Sequence, residues 1–287
     1  MGSKNMSILA EAIAFYAMLS LFPALAVLIA IYGLLANPAS VQHQIAEIRG
    51  IMPGEAKDLI TSYLQSLVRT SSRKLGIGLI VGLLISLWSA RSGVVNLMEA
   101  LNLVYEEEEK RGTIRYELVA LMLTLAAIAV AIVALVLIAA VPAILNLISV
   151  GPAAKIIGEF APWPILIVLV TVALAALYRF APSRRQAKWR WVSWGGAIAT
   201  VLWVVASVLF SFYVREFGSY DKSFGSLGAV VVLLTWFYLS AYAILLGAAF
   251  NAEMERQTAR DTTIGAEKPM GRRGAKMADT VAKGQPG

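Results

Sequence analysis

From Leu118 to Val141 the chain carries no charged residue, and Thr124 is its one polar side chain. A soluble helix of that length would keep a polar face. In hydrocarbon, a helix satisfies its own backbone hydrogen bonds, and about 20 residues cross a core of roughly 30 Å. This run therefore predicts a membrane span over 117–141. Similar runs predict five more, over 8–36, 75–90, 163–180, 191–214 and 227–250. The expected fold class is all-α, a polytopic membrane protein of six transmembrane helices. Composition agrees: 59% of the 287 residues are hydrophobic and 15% charged, against about 25% charged in a soluble domain.

The connections differ in kind. Residues 1–7 read as a tag remnant or a trimmed terminus, and they are left out of the fold argument. Span two is the shortest, and it continues as an amphipathic helix through Tyr105. In the long connection 37–74, Pro53-Gly54 breaks the chain. Leu59, Ile60, Tyr63, Leu64, Leu67 and Val68 then recur at helical spacing. An amphipathic periplasmic segment, lying on the membrane or capping the bundle, is expected there. Residues 8–255 form the membrane domain. The tail 256–287 is polar and rich in Gly, Lys and Arg, and is expected to be disordered.

Charge fixes the expected orientation. Of the 25 Lys and Arg residues, 17 fall on the N-terminus, connections two–three and four–five, and the tail; eight fall on the other side. Basic residues favour the cytoplasmic side, so both termini are expected in the cytoplasm. That asymmetry accounts for the net charge of +7 without a nucleic-acid partner.

Several chemistries are excluded or disfavoured. With no cysteine there is no disulfide, thiolate catalysis or cysteine-bound metal. The single histidine, His43, lies in a polar stretch with no partners for a metal or a triad. Glu106 to Glu109 point around much of a helix cylinder and do not converge on one ion. No cofactor and no metal site is expected, and no catalytic residue is assigned.

Polar groups near a membrane are costly unless paired or hydrated. Glu11, Arg91, Glu99, Arg179, Asn251 and Glu253 all fall near the span ends expected on the cytoplasmic side. One reading is a polar vestibule, with Arg91 and Arg179 holding an anionic headgroup and the carboxylates pairing with them or relaying protons. The other is that these charges snorkel to water and anchor helix ends. Pro23 in span one removes a backbone donor and is expected to kink the helix. Gly78, Gly82, Gly225 and Gly228 are candidate hinge or gate positions beside it. Gly76, Gly78 and Gly82, like Gly195, Gly196 and Ala199, have the small-residue spacing that lets helices approach closely. Trp163, Trp189, Trp191 and Trp194 flank spans as aromatic belts do. Between spans five and six, Arg215, Glu216, Tyr220, Asp221 and Lys222 form a turn or an external gate.

Ala14-Phe15-Tyr16-Ala17, Leu19-Ser20-Leu21-Phe22-Pro23, Leu87-Trp88-Ser89-Ala90 and Leu177-Tyr178-Arg179-Phe180-Ala181-Pro182 occur in that order. Phe224-Gly225-Ser226-Leu227-Gly228-Ala229 and Gly247-Ala248-Ala249-Phe250-Asn251-Ala252-Glu253 follow. Together they resemble the YihY/BrkB family of bacterial inner-membrane proteins over nearly the whole chain. The resemblance implies a six-helix fold, an old ribonuclease label, and suggested roles in virulence, envelope integrity and lipid or lipopolysaccharide-precursor transport. Two departures stand out: Ala249 occupies a position where the family usually has glutamate, and the usual segment before span one is nearly absent.

Three functions follow as expectations. A translocator of an amphipathic or anionic molecule predicts a groove lined by the residues above, with membrane lipids as partners. A scaffold for envelope integrity predicts a solid bundle. A homo-oligomer is compatible with either. An enzyme, the ribonuclease included, lacks the expected constellation of nucleophile, histidine and converging carboxylates.

Overall fold

A computed structural model describes residues 3–35, 72–147, 160–217 and 226–280. Within them the fold is all-helical: α1 (Ser3–Leu35), α2 (Ser72–Val104), α3 (Thr113–Leu147), α4 (Pro162–Phe180), α5 (Trp189–Phe217) and α6 (Ser226–Arg256). The chain forms two compact units, Met1–Leu19 with Arg91–Gly287, and Ser20–Ala90. The amphipathic segment after α1, Gly225 and the Tyr220–Lys222 turn lie outside the described residues.

Within the described residues, four of the six apolar runs became helices long and apolar enough to cross a membrane. Among the described residues, Thr113–Ile138, Pro162–Phe180, Trp189–Arg215 and Val230–Arg256 meet that length and apolarity, and Met6–Leu21 is a shorter apolar stretch. Only 11% of the most apolar window of α3 is buried within the protein. Its outward residues Leu118, Met122, Leu125 and Val136 meet the surroundings directly, as a lipid-facing helix requires. The chain is a polytopic membrane protein. α1 continues as helix through Pro23, and Gly228 is buried in α6.

In the larger unit, α5 packs most extensively on α6 and then on α4, and α3 packs on α4. Glycine makes the α4–α5–α6 seam. A Cβ on Gly196 would lie 2.9 Å from the Thr171 carbonyl of α4. Gly195 faces the Gly247 carbonyl and the Asn251 side chain so closely that no side chain fits. Close backbone approach is the usual basis of helix association in membranes. Gly82 differs: a Cβ there meets nothing within 4 Å.

The segment after Arg256 corrects an expectation. It is not disordered: residues 257–280 fold back against the α4–α5 connection. Lys188 N–H donates to the Thr262 carbonyl at 2.8 Å, Ile264 N–H to Gln186 at 2.9 Å, and Arg185 N–H to Gly274 at 2.9 Å. Its charges are internal staples. The Arg273 side chain donates to the carbonyls of Ala259, Arg260, Lys268 and Ala278. Asp279 accepts from the N–H groups of Gly271, Arg273 and Gly274. Gly265, Gly271 and Gly274, at φ +89°, +85° and +73°, make left-handed turns that other residues resist.

Candidate polar site at one end of the bundle

The six candidate residues do not converge. Arg91 pairs with Glu117 of α3 at 2.6 Å. Glu99 is exposed and accepts a 3.4 Å bond from the Tyr116 hydroxyl. Glu11 and Glu253 are exposed and accept 3.4 Å bonds from the Ser7 hydroxyl and the Gln257 amide respectively. Asn251 is buried and clamps two helices: its Oδ1 accepts the Gly195 N–H at 2.8 Å and its Nδ2 donates to Val192 O at 3.3 Å. Its position therefore serves packing.

Arg179 is the exception. Its guanidinium lies 4.6 Å from the Trp189 ring centroid and 5.6 Å from that of Phe180. Its Nε is buried without a hydrogen-bond partner, and among the described residues no carboxylate pairs with it. Phe180 and Trp189 are 40% and 46% exposed, so this cation sits where aromatic surface meets the outside.

What the fold does assemble is a buried hub of residues outside the six. Arg184 makes a two-pronged bond to Glu255, both prongs 2.7 Å, with side chains 1% and 0% exposed. Thr262 of the tail adds a 3.2 Å bond to the same carboxylate. The Arg184 guanidinium lies 4.2 Å from the Tyr105 ring centroid, just past the end of α2. Burial opposes the charge on Arg184, but Glu255 outweighs it and holds the group above its ordinary range. Burial pushes the Tyr105 phenol well up, so it stays neutral.

The α2–α3 turn joins the hub through polar contacts. Asn102 Oδ1 accepts the Ser183 N–H at 2.7 Å, and the Lys110 N–H donates to Ser183 Oγ at 3.0 Å. Arg111 donates to the Ala181 carbonyl at 2.8 Å, capping the end of α4 beside Arg179, and grips Glu109 with Nε and Nη2, both at 2.7 Å. Partial burial works to raise the Glu109 carboxyl, but the bonds from Arg111 and Asn102 bring it down from 4.5 to about 2. A depressed carboxylate stabilises above its unfolded pKa and loses that contribution as pH falls toward the folded one. The protection of residues 106–112 against hydrogen exchange, taken relative to the intrinsic rate at each pH, is thus expected to fall between about pH 4.5 and about pH 2. Unchanged protection across that window would refute the contribution of Glu109.

Sequence reasoning missed Glu255 through helix phase. Leu245, Ala248, Asn251, Ala252 and Glu255 share the buried face of α6, and Glu253 lies roughly opposite. A count of three- and four-residue steps from Asn251 finds Glu255.

The family described as Virulence factor BrkB matches residues 1–271. The chain belongs to the BrkB family. A relative of this BrkB protein in Bacillus subtilis, named the ribonuclease-like protein YfkH, is 32% identical over 249 residues, 85% of this chain and 88% of that one. The UPF0761 membrane protein IL2447 of Idiomarina loihiensis is 33% identical over 99 residues, 34% of each chain. A UPF0761 membrane protein of Alteromonas mediterranea is 25% identical over 256 residues, 87% of this chain and 83% of its own. No solved structure matches. The UPF0761 relatives are named membrane proteins and the family description names a virulence factor, neither being the name of a known enzyme; the ribonuclease-like name is that of the Bacillus subtilis relative.

Proposed function

We propose that this BrkB-family membrane protein moves an anionic amphipathic molecule, such as a lipid or an envelope precursor, across the bacterial inner membrane. The observation that carries this reading is Arg179. A half-buried guanidinium with no carboxylate partner among the described residues, stacked on aromatics at the end of an apolar helix, suits an anionic headgroup. The headgroup would take the guanidinium edge while acyl chains lie along the exposed apolar faces of α4 and α5. The asymmetry of the basic residues supports placing this end, with both termini, in the cytoplasm.

In liposomes reconstituted with the protein and a labelled anionic lipid, Arg179→Ala is expected to slow transfer about ten-fold or more. That is the size of one charge-assisted hydrogen bond, with Arg179→Lys intermediate. A well-folded Arg179→Ala protein that transfers lipid at the parental rate would sink the proposal. The ordered tail favours a second reading, a non-catalytic scaffold for envelope integrity: a bonded cap of some 24 residues is more than helix anchoring needs. Under that reading the Arg179 variant changes nothing, and altering the exposed surface of residues 265–272 removes a co-purifying partner.

A further inference from the structure

Helix α2 ends in a turn that helices usually build with glycine. The Glu106 N–H donates to Leu103 O at 3.1 Å and the Glu107 N–H to Asn102 O at 2.8 Å. This bonding needs a left-handed residue between the helix and Glu107. Glu106 supplies it at φ +53°, and among the described residues it is the one non-glycine with positive φ. Glycine would adopt this backbone freely, whereas glutamate meets steric resistance.

Its carboxylate has a use. Glu106 Oε2 lies 3.3 Å from Lys276 Nζ in the tail. The next carboxylate grips the same residue by its backbone: buried Glu107 accepts the Lys276 N–H at 2.6 Å and faces Lys110 Nζ at 3.7 Å. Lys276 opens a helical turn closed by bonds from the Asp279 N–H and the Thr280 hydroxyl, and Met277 and Ala278 are buried behind it.

We propose that Glu106 and Glu107 are a clasp for the tail around Lys276, and that its Glu106 arm is the releasable part. Two side-chain attachments of the tail differ in kind, beside its backbone bonds to Arg185, Gln186 and Lys188. At the hub, Arg184 and Glu255 are 1% and 0% exposed, beyond the reach of dissolved salt. At the clasp, the Lys276–Glu106 pair is 55% and 40% exposed, so ions screen it, while the Glu107 bond to the Lys276 N–H is buried, with the Glu107 side chain 3% exposed. Between the two, Arg273 bonds the tail to itself at Ala259, Arg260 and Ala278, so the tail moves as one piece. Rising ionic strength, or a competing polycation, loosens the Glu106 arm of the clasp while the hub stays closed. The turn itself stays bonded to Ser183 and Ala181 through Asn102, Lys110 and Arg111.

The absence of cysteine makes the test direct in the full chain. Spin labels at Glu108→Cys and Thr280→Cys, both exposed, report the clasp in nanodiscs; labels at Arg190→Cys and Glu253→Cys report the α5–α6 pair. At low salt the first pair is expected to give one narrow distance. In 1 M KCl, in Glu106→Gly and in Lys276→Ala, a longer population is expected to grow about two- to five-fold, the effect of one partly exposed ion pair. The second pair stays fixed. The swap Glu106→Lys with Lys276→Glu should restore the narrow distance. If Glu106→Gly leaves the first distance unchanged or narrows it, Glu106 serves only the turn and the clasp is refuted. Spreading of both pairs together would equally overturn it, because that is unfolding. None of these outcomes depends on lipid transfer.

Discussion

Glu255→Ala is expected to cost about 3–5 kcal/mol, the usual penalty for leaving one member of a buried ion pair uncompensated. Arg184 would keep the Tyr105 ring beneath it but lose both 2.7 Å bonds, in a site where its side chain is 1% exposed. The Thr262 hydroxyl would lose its carboxylate as well. The effect should therefore reach the tail, with faster proteolysis after Arg256 and a lower midpoint of thermal aggregation in detergent. The paired change Arg184→Met with Glu255→Leu should recover more than half of the loss, because a buried pair replaced by apolar groups of similar size is often close to neutral. A Glu255→Ala protein that melts with the parent would show that the hub does not hold the cap.

Gly247→Val is expected to be as damaging through sterics alone. A single Cβ at Gly247 would lie 2.5 Å from the Gly195 carbonyl, 2.6 Å from the Tyr178 hydroxyl and 2.7 Å from Ala199 Cβ. The first is backbone and cannot turn aside. The second already donates a 2.7 Å bond to the Ile244 carbonyl. Overpacking commonly costs about 1–3 kcal/mol. A branched side chain against two helices at once should exceed that and abolish the monodisperse peak in size-exclusion chromatography. Gly82→Ala is the control: it meets nothing within 4 Å and removes a weak helix former, so it should be neutral or slightly stabilising. Equal yields of Gly247→Val and parent would mean that the seam is looser than it looks.

The membrane helices were legible because hydrocarbon imposes one rule on every residue of a span. Prolines sharpened the reading at one span, since the one expected over 163–180 is helix from Pro162 to Phe180, whereas α1 and α3 run through Pro23 and Pro142. Hydropathy reports the thickness of the apolar slab and not the length of the helix. That is why α2, expected as a span over 75–90 with a helical extension, is one helix of 33 residues, and why α6 runs on to Arg256. The close approach at Gly195 and Gly196 was also readable from small-residue spacing.

The polar end was harder to read, for two reasons. Membership of one end of the bundle says nothing of the direction a side chain faces, so Glu253 was chosen where Glu255 is buried. In the tail, glycine and basic residues that by composition suggest disorder have fixed structural roles. Here the glycines are left-handed corners, and Arg273 is 5% exposed with four carbonyls around it. Composition cannot separate a solvated cation from one that ties its own backbone together. The difference lies in long-range contacts, such as the one between Glu107 and Lys276 across 169 positions.

The hub draws on Tyr105, Arg184, Glu255 and Thr262, and the last two are made only after the apolar run of α6. While the ribosome is still synthesising α6, Arg184 has been inserted and has no counter-charge. The end of the bundle can close only once residues 255–262 have emerged behind the apolar run of α6. A chain that terminates early, for example before Glu255, carries an uncompensated arginine at the membrane surface as a mark of incompleteness. Quality-control proteases would meet that chain with its polar end open, while a completed chain has already sealed it.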